Sequence, residues 1–596
     1  METSVSPGGL PKVAGSRRDF LRISGALGIA ATGTWSLTGC NVFGSQPQQQ
    51  EGAKSLRISY VTVETVDPQV ITNGMWILTR GILEGLVTQK ESGDDVDPAV
   101  AEEWSISEDN LTYTFKLRDS ATWSNGDPVT AHDFEATYKR LFTPSGASAG
   151  GTTLGANSYQ ASTGIKGAVE FLSGALTDWS QVGVKATGDK ELVITLANPN
   201  PDLLPALSHP SLLPLHMKTV EEKPDDWQKP PNFITNGPYA VQAWVINSSL
   251  DLVPNEKYWD RGNVFYDTIQ VQLIEATASG TQTVPYENNE TDIVTIPDVD
   301  VARFKKDPEL SQHLKSVDNY SVAYLAKLRS EHPALEDVRV RQALSMAMSR
   351  DTLAGVVTGA KAGQTLVPGR VKGWDDSFAL GEDIEQAKRL LAEAGYPDGK
   401  GLPEIRILSG QDSPIVAALA DVWQKNLGIK VRPDIVEAGV YVERRWQVQK
   451  GDYIGFYFGT FAGLPTWPTY TGSLWSPIDV QKFSLPAASW AEYQKTEQDK
   501  ELDAGTKNKR LAALLKEKSS PRSREMGELV AQGYAEPDAA KRLAIFKQAA
   551  GLREQESLYI PVLWLSVYFA VRPTIDGIVM RAYPDYFYLK GLKPKA

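Results

Sequence analysis

The chain reads Ala101-Glu102-Glu103-Trp104, then Thr112-Tyr113-Thr114-Phe115-Lys116-Leu117-Arg118, then Trp123-Ser124-Asn125-Gly126-Asp127-Pro128-Val129-Thr130-Ala131-His132-Asp133-Phe134. Successive side chains on a strand point to opposite faces, so Tyr113, Phe115 and Leu117 share one face and Thr112, Thr114 and Lys116 the other. That is a half-buried strand. Asn125-Gly126 supplies the positive φ angles of a tight turn. Thr130 is a good N-cap for a helix over 131–141, with Asp133 placing negative charge in its first turn. Residues 99–104 read as a short helical or turn segment.

Working outward, 56–63 has the character of a first strand, and 76–83 could be a helix packed through its apolar face. Further strands are expected at 191–196, 250–253 and 268–273, with four prolines in 200–215 marking a crossing between domains. Residues 338–350 and 384–394 carry apolar residues at helical spacing. From 405 to 458 the order is strand (405–408), helix (414–425), strand (429–433), strand (453–458), an α/β rhythm with a mixed or parallel sheet. A charged, Ala-rich stretch over 499–523 reads as a solvated helical or flexible insertion. An amphipathic helix at 538–554 and an aromatic strand at 559–571 follow. No fixed-period repeat is visible, which removes solenoid and propeller architectures.

The 596 residues carry 61 Lys and Arg, 73 Asp and Glu, and a single Cys. Such a length implies more than one core. An internal disulfide or a thiolate cluster around zinc or iron is impossible with one Cys. The net charge of -12 gives no general attraction to nucleic acid, and no nucleic-acid partner is expected. Arg17-Arg18 precede the modestly apolar run 23–37, which ends in Leu37-Thr38-Gly39-Cys40. This segment resembles a twin-arginine export signal joined to a lipoprotein box. The resemblance implies cleavage before Cys40, a lipid on its thiol, and residence at the extracytoplasmic face of the cell membrane. Cleavage would leave 57 bases and 71 acids. Residues 40–54, rich in Gly, Ser, Gln and Pro, read as a flexible tether.

The quoted stretch, together with Thr235-Asn236-Gly237-Pro238-Tyr239, Pro254-Asn255-Glu256-Lys257-Tyr258-Trp259, Asp337-Val338-Arg339-Val340-Arg341-Gln342-Ala343-Leu344 and Ala387-Lys388-Arg389-Leu390-Leu391-Ala392-Glu393-Ala394-Gly395-Tyr396, resembles the bacterial extracellular solute-binding proteins of family 5. These are the peptide/nickel substrate-binding proteins of ABC importers. The resemblance implies an α/β fold of the periplasmic-binding-protein type II, in its large three-domain form, with two lobes closing on a ligand cleft. Lobe I would combine 56–86, 201–275 and 551–596; an additional domain at 87–200 would pack on it; lobe II would be 276–550. The implied partners are a peptide or peptide-like solute and the permease subunits with their cytoplasmic ATPases, and the protein is expected to act as a monomer. Most of the motifs themselves read as scaffold.

In peptide-binding relatives, lobe II carries an Asp that receives the ligand's ammonium. The matching segment here runs Gly459-Thr460-Phe461-Ala462-Gly463-Leu464-Pro465-Thr466-Trp467-Pro468-Thr469-Tyr470. The acidic position falls on Gly463, Thr466 replaces a second acid, and no Asp or Glu occurs from 454 to 477. An ammonium taken from water without a charge partner is costly, so a blocked or uncharged ligand end fits this segment better. Glu437 and Glu443, upstream, are alternative sources of charge. The expected ligand contacts are Tyr457, Phe461, Gly463, Trp467, Tyr470 and Trp475, with the lobe I stretch Asn73, Gly74 and Met75 offering backbone hydrogen bonds.

The alternatives are a receptor for a sugar, siderophore or nickel complex, or a structural or adhesion-type surface protein. Five scattered histidines give no recognised metal spacing. H-E-x-x-H, G-x-S-x-G and Walker-type motifs are absent. Neither an enzyme nor a cofactor is expected.

Overall fold

A computed structural model describes residues 54–62, 65–70, 76–143, 164–172, 174–274, 282–473, 477–499, 501–581 and 586–596. Arg17, Arg18, Cys40, Asn73, Gly74, Met75 and Trp475 lie outside the described residues.

An eleven-stranded sheet forms the backbone of the fold. Ten strands follow the order Val431–Ile435, Ile405–Ser409, Ile454–Ala462, Leu314–Lys327, Tyr559–Val571, Ile293–Ile296, Ser55–Val61, Thr268–Ile274, Ser249–Pro254, Tyr239–Val245, and Lys361–Ala362 pairs with Tyr559–Val571 off that path. The two terminal strands of the first half run parallel, as do Ile405–Ser409 with Ile454–Ala462 and Ser55–Val61 with both of its neighbours. The helix Pro414–Leu427 makes the crossover between the first two, opened by Pro414 at its start and closed by Gly428 in the left-handed region. A separate four-stranded antiparallel sheet orders Ala101–Ile106, Thr112–Leu117, Glu191–Thr195 and Val184–Gly188. Tyr113, Phe115 and Leu117 are all buried. The helix Ala131–Phe142 begins with a capping box between Thr130 and Asp133.

Two readings need correction. Residues 101–106 are a strand rather than a helical turn, because they pair with Thr112–Leu117. The helical pattern over 338–350 divides into Val338–Met346 and Arg350–Ala354, since Ala347 already leaves helical geometry.

The apolar residues gather in distinct cores. One joins residues between Leu56 and Ile293 to Phe569, Val571, Ile575, Phe587, Leu589 and Leu592. Two others lie on opposite faces of the strands around 322–327 and 454–462: Leu325, Phe456 and Phe458 enter one, while Val322, Ala326 and Tyr457 enter the other. Alternation along the strand makes that division. The strand Tyr559–Val571 belongs to both regions, with Ile560 and Val562 in one core and Phe569 and Val571 in another.

Candidate functional site

Beyond the strand Ile454–Ala462 the chain turns away at Gly463 and passes Pro465 and Pro468 before a single π-type turn over Thr469–Ser473. Tyr470 is fully buried, and its hydroxyl accepts the Gly463 N–H at 3.2 Å. Phe461 stands edge-on to the Tyr470 ring, with centroids 5.8 Å apart. A Cβ at Gly463 would lie 2.7 Å from Thr469 Cγ2 and 2.8 Å from Phe461 Cε1. Position 463 is therefore closed by its own neighbours. Tyr457 packs elsewhere, against Tyr324 and Tyr441, each with centroids 6.2 Å away.

Trp467 takes a different direction. Its indole N–H donates to the Lys372 carbonyl at 3.0 Å, and its ring meets Phe378 edge-on at 5.5 Å. It borders a cavity of about 500 Å³. This volume is in the usual range for small-ligand sites, roughly 300–1,000 Å³. The walls come from widely separated segments: Asp94, Pro201 and Asp202; Val371 to Gly373; Pro465 to Pro468; and Ala539 to Phe546. Val371, Trp467, Leu543 and Phe546 make the apolar part. Of the sequence-predicted contacts that are described, only Trp467 reaches this cavity.

The charged lining groups are Asp94, Asp202, Lys372 and Arg542. Asp202 precedes the short helix Leu203–Leu207 without capping it through its side chain. Asn200 Oδ1 accepts the Asp202 N–H at 3.0 Å, which turns the chain there. The carboxylate instead accepts a hydrogen bond from the Thr466 hydroxyl, 264 residues away in sequence. Burial pushes the Asp202 carboxyl up to about 7, and neighbouring Asp94 adds to this, while the Thr466 hydroxyl and Arg542 oppose it. Arg542 spends one guanidinium nitrogen on the carbonyls of Glu536 and Pro537, at 2.9 and 3.2 Å. Lys372 is largely exposed and lies 3.9 Å from Asp94.

Sequence reasoning missed Asp202 and Asp94. An acid beside prolines in a crossing segment looks like an ordinary turn or helix cap, and only the tertiary fold carries it to Thr466. The acids proposed instead do not line this cavity. Glu437 caps the helix Ala438–Arg444 through the N–H groups of Gly439 and Val440, and Glu443 accepts from Gln447 at 2.8 Å.

The sequence motifs at 123–134 and 235–239 are structural. Trp123 and Phe134 are fully buried. Asn236 exchanges two hydrogen bonds with the Glu84 backbone, at 3.0 and 2.8 Å. Gly237 lies so close to the end of the helix Trp76–Ile82 that a Cβ would sit 2.5 Å from the Ile82 carbonyl carbon.

Residues 95–481 match the family described as bacterial extracellular solute-binding proteins, family 5 Middle. The chain is 28% identical over 546 residues to the probable deoxycholate-binding periplasmic protein YgiS of Escherichia coli, covering 89% of this chain and 92% of that one. It is 28% identical to the periplasmic oligopeptide-binding protein OppA of Salmonella typhimurium, over 86% and 87% of the two chains. Among solved structures, the Escherichia coli murein tripeptide binding protein MppA superposes with a TM-score of 0.69 at 24% identity, covering 91% of this chain and 99% of that one.

Proposed function

The chain belongs to the bacterial extracellular solute-binding proteins, family 5, and we propose on that footing that it captures an oligopeptide or peptide-like solute and hands it to an ABC permease. It is a solute-binding protein of the extracytoplasmic space, not an enzyme. The observation that carries the reading is the cavity of about 500 Å³ whose walls come from five separated stretches of chain. A site assembled that way closes when its walls approach and opens when they part. The relatives named for oligopeptides and murein tripeptide support a peptide-like ligand. On this reading lobe I comprises 56–86, 201–275 and 551–596, the domain at 87–200 packs on it, and lobe II is 276–550. Asn73, Gly74 and Met75 would supply backbone contacts, and Trp467, with Trp475, an aromatic wall, whereas Phe461 and Tyr470 pack against each other away from the cavity.

Anchoring through Cys40 would hold the receptor at the membrane. Cys40→Ser should abolish incorporation of radiolabelled lipid, and labelled mutant protein would refute the anchor. Lysine at both Arg17 and Arg18 should trap the precursor.

The main test is native mass spectrometry of the purified protein with a random pentapeptide pool, paired with uptake assays in a deletion strain. Peptide retention and reduced peptide uptake are expected. A second reading, capture of an amphipathic steroid acid, draws on the relative named for deoxycholate. Retention of deoxycholate with no peptide bound would select it.

A further inference from the structure

We propose that Asp202, the Thr466 hydroxyl and the Thr469 N–H form a clasp that joins the two halves of the receptor across the cavity and lets them close with no solute bound. The inference goes beyond the capture reading and holds whichever solute the cavity takes.

The cavity lies on a seam between separately packed bodies. Asp94 and Asp202 are flanked by Val96, Val100, Leu203 and Leu207, which belong to the core that joins Leu56 to Phe569. Val371, Trp467 and Phe546, on the opposite wall, belong to the core that also holds Val322, Ala326 and Tyr457. The strand Tyr559–Val571 contributes to both, with Trp564 in one core and Phe569 in the other, so the bodies stay joined there when the seam parts. Across the seam run polar contacts. The Thr466 hydroxyl donates to Asp202 Oδ2, the Thr469 N–H donates to the same carboxylate, and Lys372 Nζ lies 3.9 Å from Asp94 Oδ2. Charges on the two walls are complementary, with Asp94 and Asp202 on one and Lys372 and Arg542 on the other. Such contacts exchange for water at small net cost, so this seam can part and re-form, unlike one sealed by apolar side chains. The set is complete without a ligand atom.

The clasp links closure to protons. Burial in the closed seam pushes the Asp202 carboxyl up to about 7; Asp94 adds to the rise, and Thr466, Arg542 and Thr469 oppose it. Once the seam parts, the carboxylate meets water and returns toward the ordinary value of about 3.9. The closed form therefore binds a proton that the open form releases. Between those two values, acid favours closure by up to about tenfold per pH unit. The charged groups facing Asp202 across the cavity are Asp94, Lys372 and Arg542, and the segment 465–468 carries none.

The test measures closure in ligand-free protein. Spin labels go on Glu108→Cys and Glu528→Cys, exposed positions on the two bodies, in a chain whose single native thiol is removed by Cys40→Ser. Native mass spectrometry confirms that the preparation carries no solute. Double electron–electron resonance then gives the distance distribution from pH 5.5 to 8.5. The distance of the present structure should appear without ligand, and it should gain population over a longer one as pH falls through 7. Asp202→Asn keeps an acceptor for Thr466 and Thr469 but cannot ionise. Its closed population should match that of wild type at pH 5.5 and no longer depend on pH. Thr466→Val removes one donor, so its closed-to-open ratio at pH 5.5 should fall about fivefold. Three results overturn the inference: a single long distance in wild type at every pH, a closed population that is constant or grows as pH rises, or a pH dependence that survives in Asp202→Asn. An unaltered ratio in Thr466→Val overturns it as well, and that variant decides the matter if Asp202→Asn fails to fold. Solute capture is untouched by any of these results, because the pentapeptide pool tests it separately.

Discussion

Placing an aspartate at Gly463 is the perturbation that separates the sequence reading from the structural one. By sequence register, Gly463→Asp would restore the missing ammonium partner. By structure it should do damage. The new Cβ meets Thr469 Cγ2 at 2.7 Å and Phe461 Cε1 at 2.8 Å, and overpacking of this kind costs about 1–3 kcal/mol. The carboxylate then stands among Phe461, Tyr470 and Thr469, and a buried charge left uncompensated costs roughly 3–5 kcal/mol. A total loss of about 4–8 kcal/mol follows if the acid stays ionised. With a urea slope of roughly 3–5 kcal/mol per molar for a chain of this size, the midpoint should fall by about 1–2 M. Gly463→Ala isolates the steric part and should lose about 1–3 kcal/mol.

The pH dependence checks the assignment. Burial raises the folded-state pKa of the new acid above its unfolded value of about 3.9, so the electrostatic deficit is complete above the folded pKa. It shrinks as pH falls and vanishes below the unfolded pKa, leaving the steric loss. An unchanged urea midpoint together with tighter binding of free-amine peptides would refute the reasoning, because it would mean that position 463 opens into the ligand space.

Trp467→Ala should weaken ligand binding by roughly 1–3 kcal/mol, as loss of a buried aromatic anchor does, and unaltered calorimetric affinity would remove Trp467 from the site. His209 is buried, with Nδ1 2.8 Å from the Ser211 hydroxyl, and burial followed by nearby Arg80 pushes it down to about 3. Its stabilising contribution is complete above the unfolded pKa near 6.5 and is lost as pH falls from there towards 3. His209→Gln should flatten that limb of the stability curve, and an identical slope would exclude His209 as its source. Arg329 is sandwiched between Trp490 and Phe483, at 3.6 and 4.2 Å from the ring centroids, with none of its guanidinium nitrogens hydrogen-bonded among the described residues. Arg341, by contrast, meets the Glu556 carboxylate at 3.0 Å and three backbone carbonyls. Arg329→Met should be neutral or stabilising in denaturant melts, whereas Arg341→Met should lose about 3–5 kcal/mol; the reverse order would refute the distinction.

Short-range signals were legible in the sequence. Thr112–Leu117, Ala131–Phe142, Pro414–Leu427 and Tyr559–Val571 all lie where alternation, capping or helical spacing places them. The pairing partners were not legible. Leu314–Lys327 forms a fourteen-residue strand although its sequence mixes Lys, Ser, Asp and Asn into the alternation, because strands on both sides supply its hydrogen bonds. Residues 101–106 likewise became a strand through a partner. The candidate site divides the same way. Trp467 was visible as an aromatic in a recognisable segment, and the glycine at 463 is plain in the sequence. The acid beside Thr466 was not legible, because it arrives from position 202, and no local pattern encodes that approach.

The shared strand Tyr559–Val571 gives the chain a late keystone. It fills the space between Leu314–Lys327 and Ile293–Ile296, yet it is made long after both. At about 5–20 residues per second, the roughly 230 residues between Lys327 and Tyr559 take about 12–46 s to synthesise. Throughout that interval two strand edges destined for the middle of a sheet have no partner, and such edges invite pairing with other chains. A ribosome that stalls or stops early therefore releases a product whose central seam is unzipped, however well its ends have packed. For expression, a missing C-terminus should be far more harmful than a missing leader, and a holdase present during those tens of seconds should matter more than any later refolding aid.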